Sequence, residues 1–101
     1  MKQRYPRRMT IGRKKYDIKV ERHSPTRGTM GEVTYSHQLI TIGTHSTLTG
    51  HSYKAEAVHD TFWHELTHAI LYEMGHPYYK NEKFVSKFAT HLTKAIETAE
   101  F

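Results

Sequence analysis

Cysteine is absent from this sequence of 101 residues. Disulfides are therefore excluded, and so is every metal site built on thiolates, which leaves histidine and carboxylate as the available ligands. No apolar run approaches the ~20 residues needed to cross a bilayer. The charged N-terminus also lacks the apolar core of a signal peptide, so we expect a cytoplasmic protein without a membrane segment.

Acidic residues are scarcer than basic ones, 10 against 15, and the net charge is +5. No acid falls within the first fifteen residues, which hold seven positive charges: Lys2, Arg4, Arg7, Arg8, Arg13, Lys14 and Lys15. We expect residues 1–15 to form a basic N-terminal arm and residues 16–101 to form a single domain. Such an arm can attract nucleic acid or an acidic partner, although many charged termini only add solubility.

The first half of the chain contains three β-favouring segments. Residues 16–21 alternate between apolar and polar side chains, as a half-buried strand does. Residues 33–35 and 39–42 are also β-favouring, and the short polar link between them predicts a hairpin. Residues 23–31 and 43–50 are rich in glycine and small polar side chains, which is typical of loops.

Two helices are predicted in the second half. The first starts just after Ser52, whose hydroxyl can cap it, and runs to Met74, because Gly75 and Pro77 stop it. The second starts around Asn81 and has a core face with apolar residues at spacings of three and four: Phe84, Val85, Phe88, Ala89, Leu92, Ala95, Ile96 and Ala99. These segments predict an α+β fold with a small, mainly antiparallel sheet packed on two long helices.

The sequence His64-Glu65-Leu66-Thr67-His68 lies in the middle of the first predicted helix. A spacing of four turns the helix by about 400°, so both imidazoles can reach one tetrahedral Zn²⁺ ion. Glu65 adjoins the first ligand and can accept a proton from water on the zinc as that water attacks a carbonyl carbon. The spacing therefore places two ligands and a general base on one rigid element, although two surface histidines on an amphipathic helix would show the same pattern.

A hydrolytic zinc needs three protein ligands and one open position. Glu82, in the first turn of the second helix, is one candidate, although an acid there also complements the helix dipole. His76 could bind only if the first helix ended early, and His91 lies on the opposite face of its helix from Glu82. Asp60 shares a face with His64 and could orient that ring as a hydrogen-bond acceptor.

Tyr78 and Tyr79 lie in the predicted turn between the two helices. A tyrosine hydroxyl near the zinc could stabilise the oxyanion that forms during hydrolysis. Loop tyrosines more often cover the edge of a core, so this role is the less common one for residues of this kind.

The motif and its downstream context resemble the gluzincin metallopeptidases. The matching residues are His64-Glu65-Leu66-Thr67-His68-Ala69-Ile70-Leu71, then Asn81-Glu82, and then Phe84, Val85, Phe88 and Ala89. The pattern is most similar to the ImmA/IrrE-like group and to small phage-encoded zinc peptidases near it. The resemblance covers about residues 56–92 and implies a zincin-like minimal domain.

This resemblance implies that His64, His68 and Glu82 bind Zn²⁺ and that Glu65 is the general base. The implied activity is hydrolysis of a peptide bond in a protein or peptide. Zincins hold extended substrate along a sheet edge near the metal, and residues 38–42 are our candidate for that edge. Ser86 stands where many gluzincins have an acid, which bears on substrate choice and efficiency more than on metal binding.

Two other hypotheses come from different classes of protein. In the first, the chain is a nucleic-acid-associated regulatory module with a structural zinc, and the basic arm binds DNA or RNA. In the second, a phage or mobile-element protein retains the fold for partner binding alone. SprT-like proteases, which act on DNA-bound proteins, are a fainter resemblance through Gly75-His76 and Tyr79, but the spacing of this third-ligand region from His68 is too short.

Overall fold

Four strands form one sheet, and the longer of two helices covers one face of it. The computed structural model describes residues 5–101; Lys2 and Arg4 of the predicted arm lie outside them. The strands are β1 (Arg8–Ile11), β2 (Lys14–Glu21), β3 (Gly31–Thr34) and β4 (Leu39–Gly43). The helices are α1 (Ala55–Glu73) and α2 (Glu82–Thr98), and single 3-10 turns span Tyr35–His37 and Pro77–Lys80. The predicted α+β class is confirmed.

The sheet is mixed, so the prediction of a mainly antiparallel sheet is wrong. Its strand order is β1-β2-β4-β3, with β1 antiparallel to β2 and β3 antiparallel to β4. The predicted hairpin is therefore confirmed, but its second strand pairs in parallel with β2. The two β-favouring segments and the polar link between them predict the hairpin, but burial decides which of its strands is central in the sheet. Ile40, Thr41 and Ile42 of β4 are all buried, as in a central strand.

Part of the predicted basic arm is folded into the sheet. Arg8–Ile11 forms β1 and pairs residue by residue with the start of β2, from Ile11 opposite Lys14 to Arg8 opposite Asp17. Arg8 Nε donates to Asp17 Oδ1 at 2.9 Å across this pair. Ile11 is buried in the core, so this segment, although assigned to the arm, contributes to the folded domain.

The first helix begins at Ala55, two residues later than the Ser52 cap predicts. Its N-cap is Lys54, which makes no side-chain capping bond, and Ser52 instead forms an isolated β-bridge with His45. The predicted end is confirmed, because α1 stops at Glu73 and Gly75 adopts a φ of 70°, a conformation that favours glycine. The Asn81 cap of α2 is confirmed too: its side chain accepts from the amide of Phe84.

The core lies between the sheet and α1. Tyr16, Ile18, Ile40 and Ile42 of the sheet pack against four residues of the helix: Val58, Phe62, Leu66 and Ala69. The hydroxyl of the fully buried Tyr16 donates to Glu73 Oε2 at 2.6 Å and ties β2 to the end of α1. Among residues 5–101, no helix is long and apolar enough to cross a membrane.

Candidate metal centre

Three side chains meet where α1 and the start of α2 lie side by side. His64 and His68 project from successive turns of α1, with their Nε2 atoms 3.2 Å apart. Glu82 reaches both from the first turn of α2, with Oε1 3.0 Å from His64 Nε2 and Oε2 2.6 Å from His68 Nε2. These three residues form a group that could hold a metal ion.

The donor set fits a small divalent ion. Ligands on a tetrahedral zinc at the usual bond lengths are ~3.3 Å apart. The three separations of 3.2, 3.0 and 2.6 Å are therefore shorter by about 0.1 to 0.7 Å, with the largest difference between Glu82 and His68. The Glu82 side chain is 66% exposed, so a small outward movement of its carboxylate could open the group to that size. Two imidazoles and one carboxylate also leave a fourth tetrahedral position free, as hydrolytic sites require.

A backbone carbonyl holds the imidazole of His68 in place. His68 Nδ1–H donates to the carbonyl of Tyr79 at 2.7 Å, since a carbonyl can only accept. In the neutral ring this leaves the lone pair of Nε2 facing His64 and Glu82. The turn between the helices therefore fixes the tautomer and orientation that a metal ligand needs.

Glu65 is buried beside this group without being part of it. It is 8% exposed, and it lines the same cleft as His64, His68 and Glu82. Burial, with smaller contributions from Glu82 and Glu32, raises the pKa of Glu65 to about 8. A divalent cation nearby would favour the charged carboxylate instead. A buried carboxyl with its pKa displaced towards neutrality is suited to general base chemistry.

The sheet packs closely against α1 at Gly31, next to Glu65. A Cβ atom at this position would lie 2.8 Å from the carbonyl oxygen of Thr41, 2.8 Å from Thr61 Cγ2 and 3.3 Å from Glu65 Cγ. Only glycine therefore allows β3 to pack this tightly on α1 next to the proposed base.

We expect Gly31→Ala to lower the free energy of unfolding by about 1–3 kcal/mol, because its methyl group overpacks a closed interface. The midpoint of thermal unfolding, followed by circular dichroism, should fall by about 4–8 °C for each kcal/mol. Adding Thr61→Ser removes one of the two closest contacts and should restore part of the loss. An unchanged midpoint in Gly31→Ala would contradict this packing.

The other candidate ligands have different contacts. His76 Nδ1 accepts from the amide of Tyr78 and caps the turn Pro77–Lys80. His91 is exposed, and its Nδ1–H donates to the carbonyl of Lys87 on α2. Asp60, considered as an orienting acceptor for His64, accepts instead from Thr93 Oγ1 at 3.3 Å and so links α1 to α2.

The two turn tyrosines lie in different places. Tyr79 lines the metal cleft and contributes its carbonyl to His68, while its ring packs edge-on against Tyr72. Tyr78 is 46% exposed and packs against His76 and Phe84. Tyr79 is therefore the one of the two that belongs to the site, through its backbone.

Tyr35 is a site residue that the sequence reasoning missed. It follows β3, lines the metal cleft and stacks on Tyr72 with ring centroids 4.1 Å apart. Burial, and then the nearby charge of Glu65, raises the pKa of Tyr35 to about 12, so its hydroxyl keeps its proton. The sequence predicted Tyr35 as the last residue of a β-favouring segment, whereas β3 ends at Thr34 and Tyr35 begins a 3-10 turn. The strand pattern gave no signal that this residue would lie in the cleft.

The sheet edge beside the metal is β3, so the prediction that residues 38–42 form that edge is wrong. That segment is β4, which pairs with β2 on one side and β3 on the other and so has no free edge. β3 is the last strand in the sheet order, and it borders a cleft of about 630 Å³. The residues lining this cleft come from both sides of the site: Thr29, Gly31, Glu32, Val33, Tyr35, His64, Glu65, His68, Tyr79, Lys80 and Glu82.

Comparison with protein-family models, with curated proteins and with solved structures returns no match for this chain.

Proposed function

We propose that the protein is a zinc-dependent metallopeptidase that hydrolyses peptide bonds in a protein or peptide substrate. One observation carries the proposal: the buried carboxylate of Glu65 lies in the same cleft as the group His64, His68 and Glu82. A metal group alone is compatible with many roles. A buried carboxyl next to it that binds none of its members adds the base that hydrolysis requires.

Zinc is the metal we propose. In a chain without cysteine, two imidazoles and one carboxylate with an open position form the ligand set of hydrolytic zinc sites. The same set can hold Fe²⁺ in oxygenases, but the adjacent buried carboxylate favours hydrolysis. When bound, zinc would polarise the substrate carbonyl and make water more acidic.

Three parts of the chain would have separate roles in hydrolysis. Glu65 accepts the proton of the attacking water and passes it to the leaving amine. The open edge of β3 can pair with an extended peptide and hold it across the cleft. The protonated hydroxyl of Tyr35 can donate to the oxygen that becomes negative as the carbonyl is attacked. We further propose, on the resemblance of residues 56–92, that the chain is a gluzincin related to the ImmA/IrrE-like group.

The proposal is tested by incubating zinc-loaded protein with a library of internally quenched peptides and with labelled casein. Fluorescence should rise with time, chelation with 1,10-phenanthroline should stop it, and added Zn²⁺ should restore it. Products identified by mass spectrometry should carry one water per cleavage. Absence of cleavage from both substrates at one zinc per chain would contradict the proposal.

The β1–β2 hairpin favours a second candidate function, nucleic-acid binding around a structural metal. The hairpin contains two acids, Asp17, which is paired with Arg8, and Glu21 at the end of β2. The remaining cations of this segment are exposed: Arg7, Arg13, Lys14, Lys15 and Lys19. Cations grouped on one exposed hairpin form the kind of surface that contacts phosphates.

If this surface binds nucleic acid, Arg13→Glu with Lys15→Glu should weaken binding of a labelled DNA duplex and reduce the slope of log K against log salt by about 2. The matched control, Lys87→Glu with Lys94→Glu, makes the same charge change on α2 and should leave that slope unchanged. Fluorescence anisotropy over a range of salt concentrations measures both. No binding at low salt, or an equal loss in both variants, would rule out this surface.

A further inference from the structure

An apolar strip runs along the outside of the two helices. It consists of Trp63, Leu66 and Ile70 of α1, Met74 at the end of α1, and Phe84 and Phe88 of α2. Met74 is 66% exposed, Phe88 48% and Ile70 41%. Large apolar side chains exposed side by side, rather than singly, mark an interaction surface.

The strip is concave and continuous. Its six residues line a cleft of about 330 Å³ between α1 and α2. A second cleft, against β1, shares Leu66, Ile70 and Met74 with it, and a third shares Trp63 and Leu66. From Trp63 to Met74 the strip spans roughly 16 Å along the helix axis, which is three helical turns. Its shape therefore fits a helix of three or more turns laid into a groove.

The metal site stays open when the strip is covered. The cleft between the helices and the metal cleft have no lining residue in common. An occupant of the strip and a substrate in the metal cleft could therefore bind together.

The charged residues beside the strip indicate which kind of partner could bind there. Between Glu82 and Glu97 the charged residues of α2 are all basic, Lys83, Lys87 and Lys94, and all three are exposed. Lys87 and His91 each lie three residues after an exposed phenylalanine of the strip, so they border it. In a two-fold dimer whose axis crosses the groove, the basic border of one copy would meet the same border of the other, which is unfavourable. A partner with acids along its edges would be attracted instead.

We propose that the apolar strip is a docking site for an amphipathic helix of another protein, with acidic residues flanking the apolar face of that helix. Apolar anchors at helical spacing would fill the three clefts, and the acids would lie beside Lys87 and Lys94. Trp63 is the single tryptophan of the chain and lies in the groove, so its fluorescence reports occupancy directly.

The test uses a synthetic 18-residue helical peptide with leucines on one face and glutamates along its flanks. Titration into the full chain should change Trp63 fluorescence and saturate. A peptide of the same composition in a permuted order without helical periodicity, and one with lysine replacing each glutamate, should bind at least tenfold more weakly. Phe88→Ser should weaken binding of the acidic helix at least tenfold, and Lys87→Glu about threefold.

The matched control is Lys54→Glu, which makes the same charge change at the exposed N-cap of α1 and should leave the affinity unchanged. Because Phe88 is half exposed, its variant should keep the circular dichroism spectrum of the parent. Sedimentation of the parent chain should show a monomer. Equal binding of the acidic and permuted peptides, no binding at all, or a dimer that Phe88→Ser dissociates would each overturn the proposal; the last would identify a second copy as the occupant.

Discussion

Glu65→Gln should lower the rate of peptide hydrolysis by about 10²–10⁴-fold while leaving the metal content unchanged. The amide has almost the same shape as the carboxyl group but cannot take a proton from the attacking water. Glu65 is outside the group His64, His68 and Glu82, so its replacement removes no ligand. Initial rates on the best substrate from the peptide library, together with zinc per chain by mass spectrometry, measure the two effects separately.

Glu56→Gln is the matched control, because Glu56 lies in the exposed first turn of the same helix. It should change neither rate nor metal content. Without metal, burial disfavours the charged form of Glu65, whereas a neutral amide carries no such cost, so metal-free Glu65→Gln should unfold at the same temperature as the metal-free parent chain or a higher one. Retained hydrolysis in Glu65→Gln would remove Glu65 from the mechanism, and loss of metal would make it a ligand.

His68→Ala and Glu82→Ala should each reduce the metal content from about one ion per chain to near zero. His68 is the most enclosed of the three donors, and the Tyr79 carbonyl already orients it, so no other described imidazole is positioned to replace it. Of the two variants, Glu82→Ala is the more informative about the metal. Its side chain is largely exposed, so alanine should remove the metal without removing core packing.

Both variants should also be less stable than the metal-loaded parent chain, because the ion would bind only the folded chain. With free metal at about 100 times its dissociation constant, binding contributes ~2.7 kcal/mol. For a domain of this size that corresponds to roughly 10–20 °C in the unfolding midpoint. Chelator should lower the midpoint of the parent chain by this amount and leave both variants unaffected.

His76→Ala and His91→Ala are the controls for the metal experiment, since both histidines are engaged in local backbone contacts. Each should retain its metal. Retention of metal by Glu82→Ala would show that the third ligand lies elsewhere, with His76 and Asp60 the next to test. Metal loss in His76→Ala without metal loss in Glu82→Ala would make His76 the third ligand instead of Glu82.

Much of the local structure is determined by short-range pattern. Gly75 and Asn81 carry their signals in their own side chains, as a left-handed stop and an N-cap, and both are found where predicted. Ser52 shows where such a signal fails, because the β-bridge with His45 takes that residue out of the helix. A cap is one weak preference among several, and tertiary pairing outweighs it.

The pair His64 and His68, with Glu65 beside them, follows from the amino-acid sequence alone, because a spacing of four on a helix depends only on helix geometry. The rest of the site around this pair follows only from the packing of the elements in three dimensions. The turn that brings Glu82 to the pair, the sheet order that gives β3 the free edge, and the placement of Gly31 and Tyr35 beside Glu65 all depend on packing between elements. Contacts of this kind join residues far apart in the chain, and no local pattern of side chains specifies them.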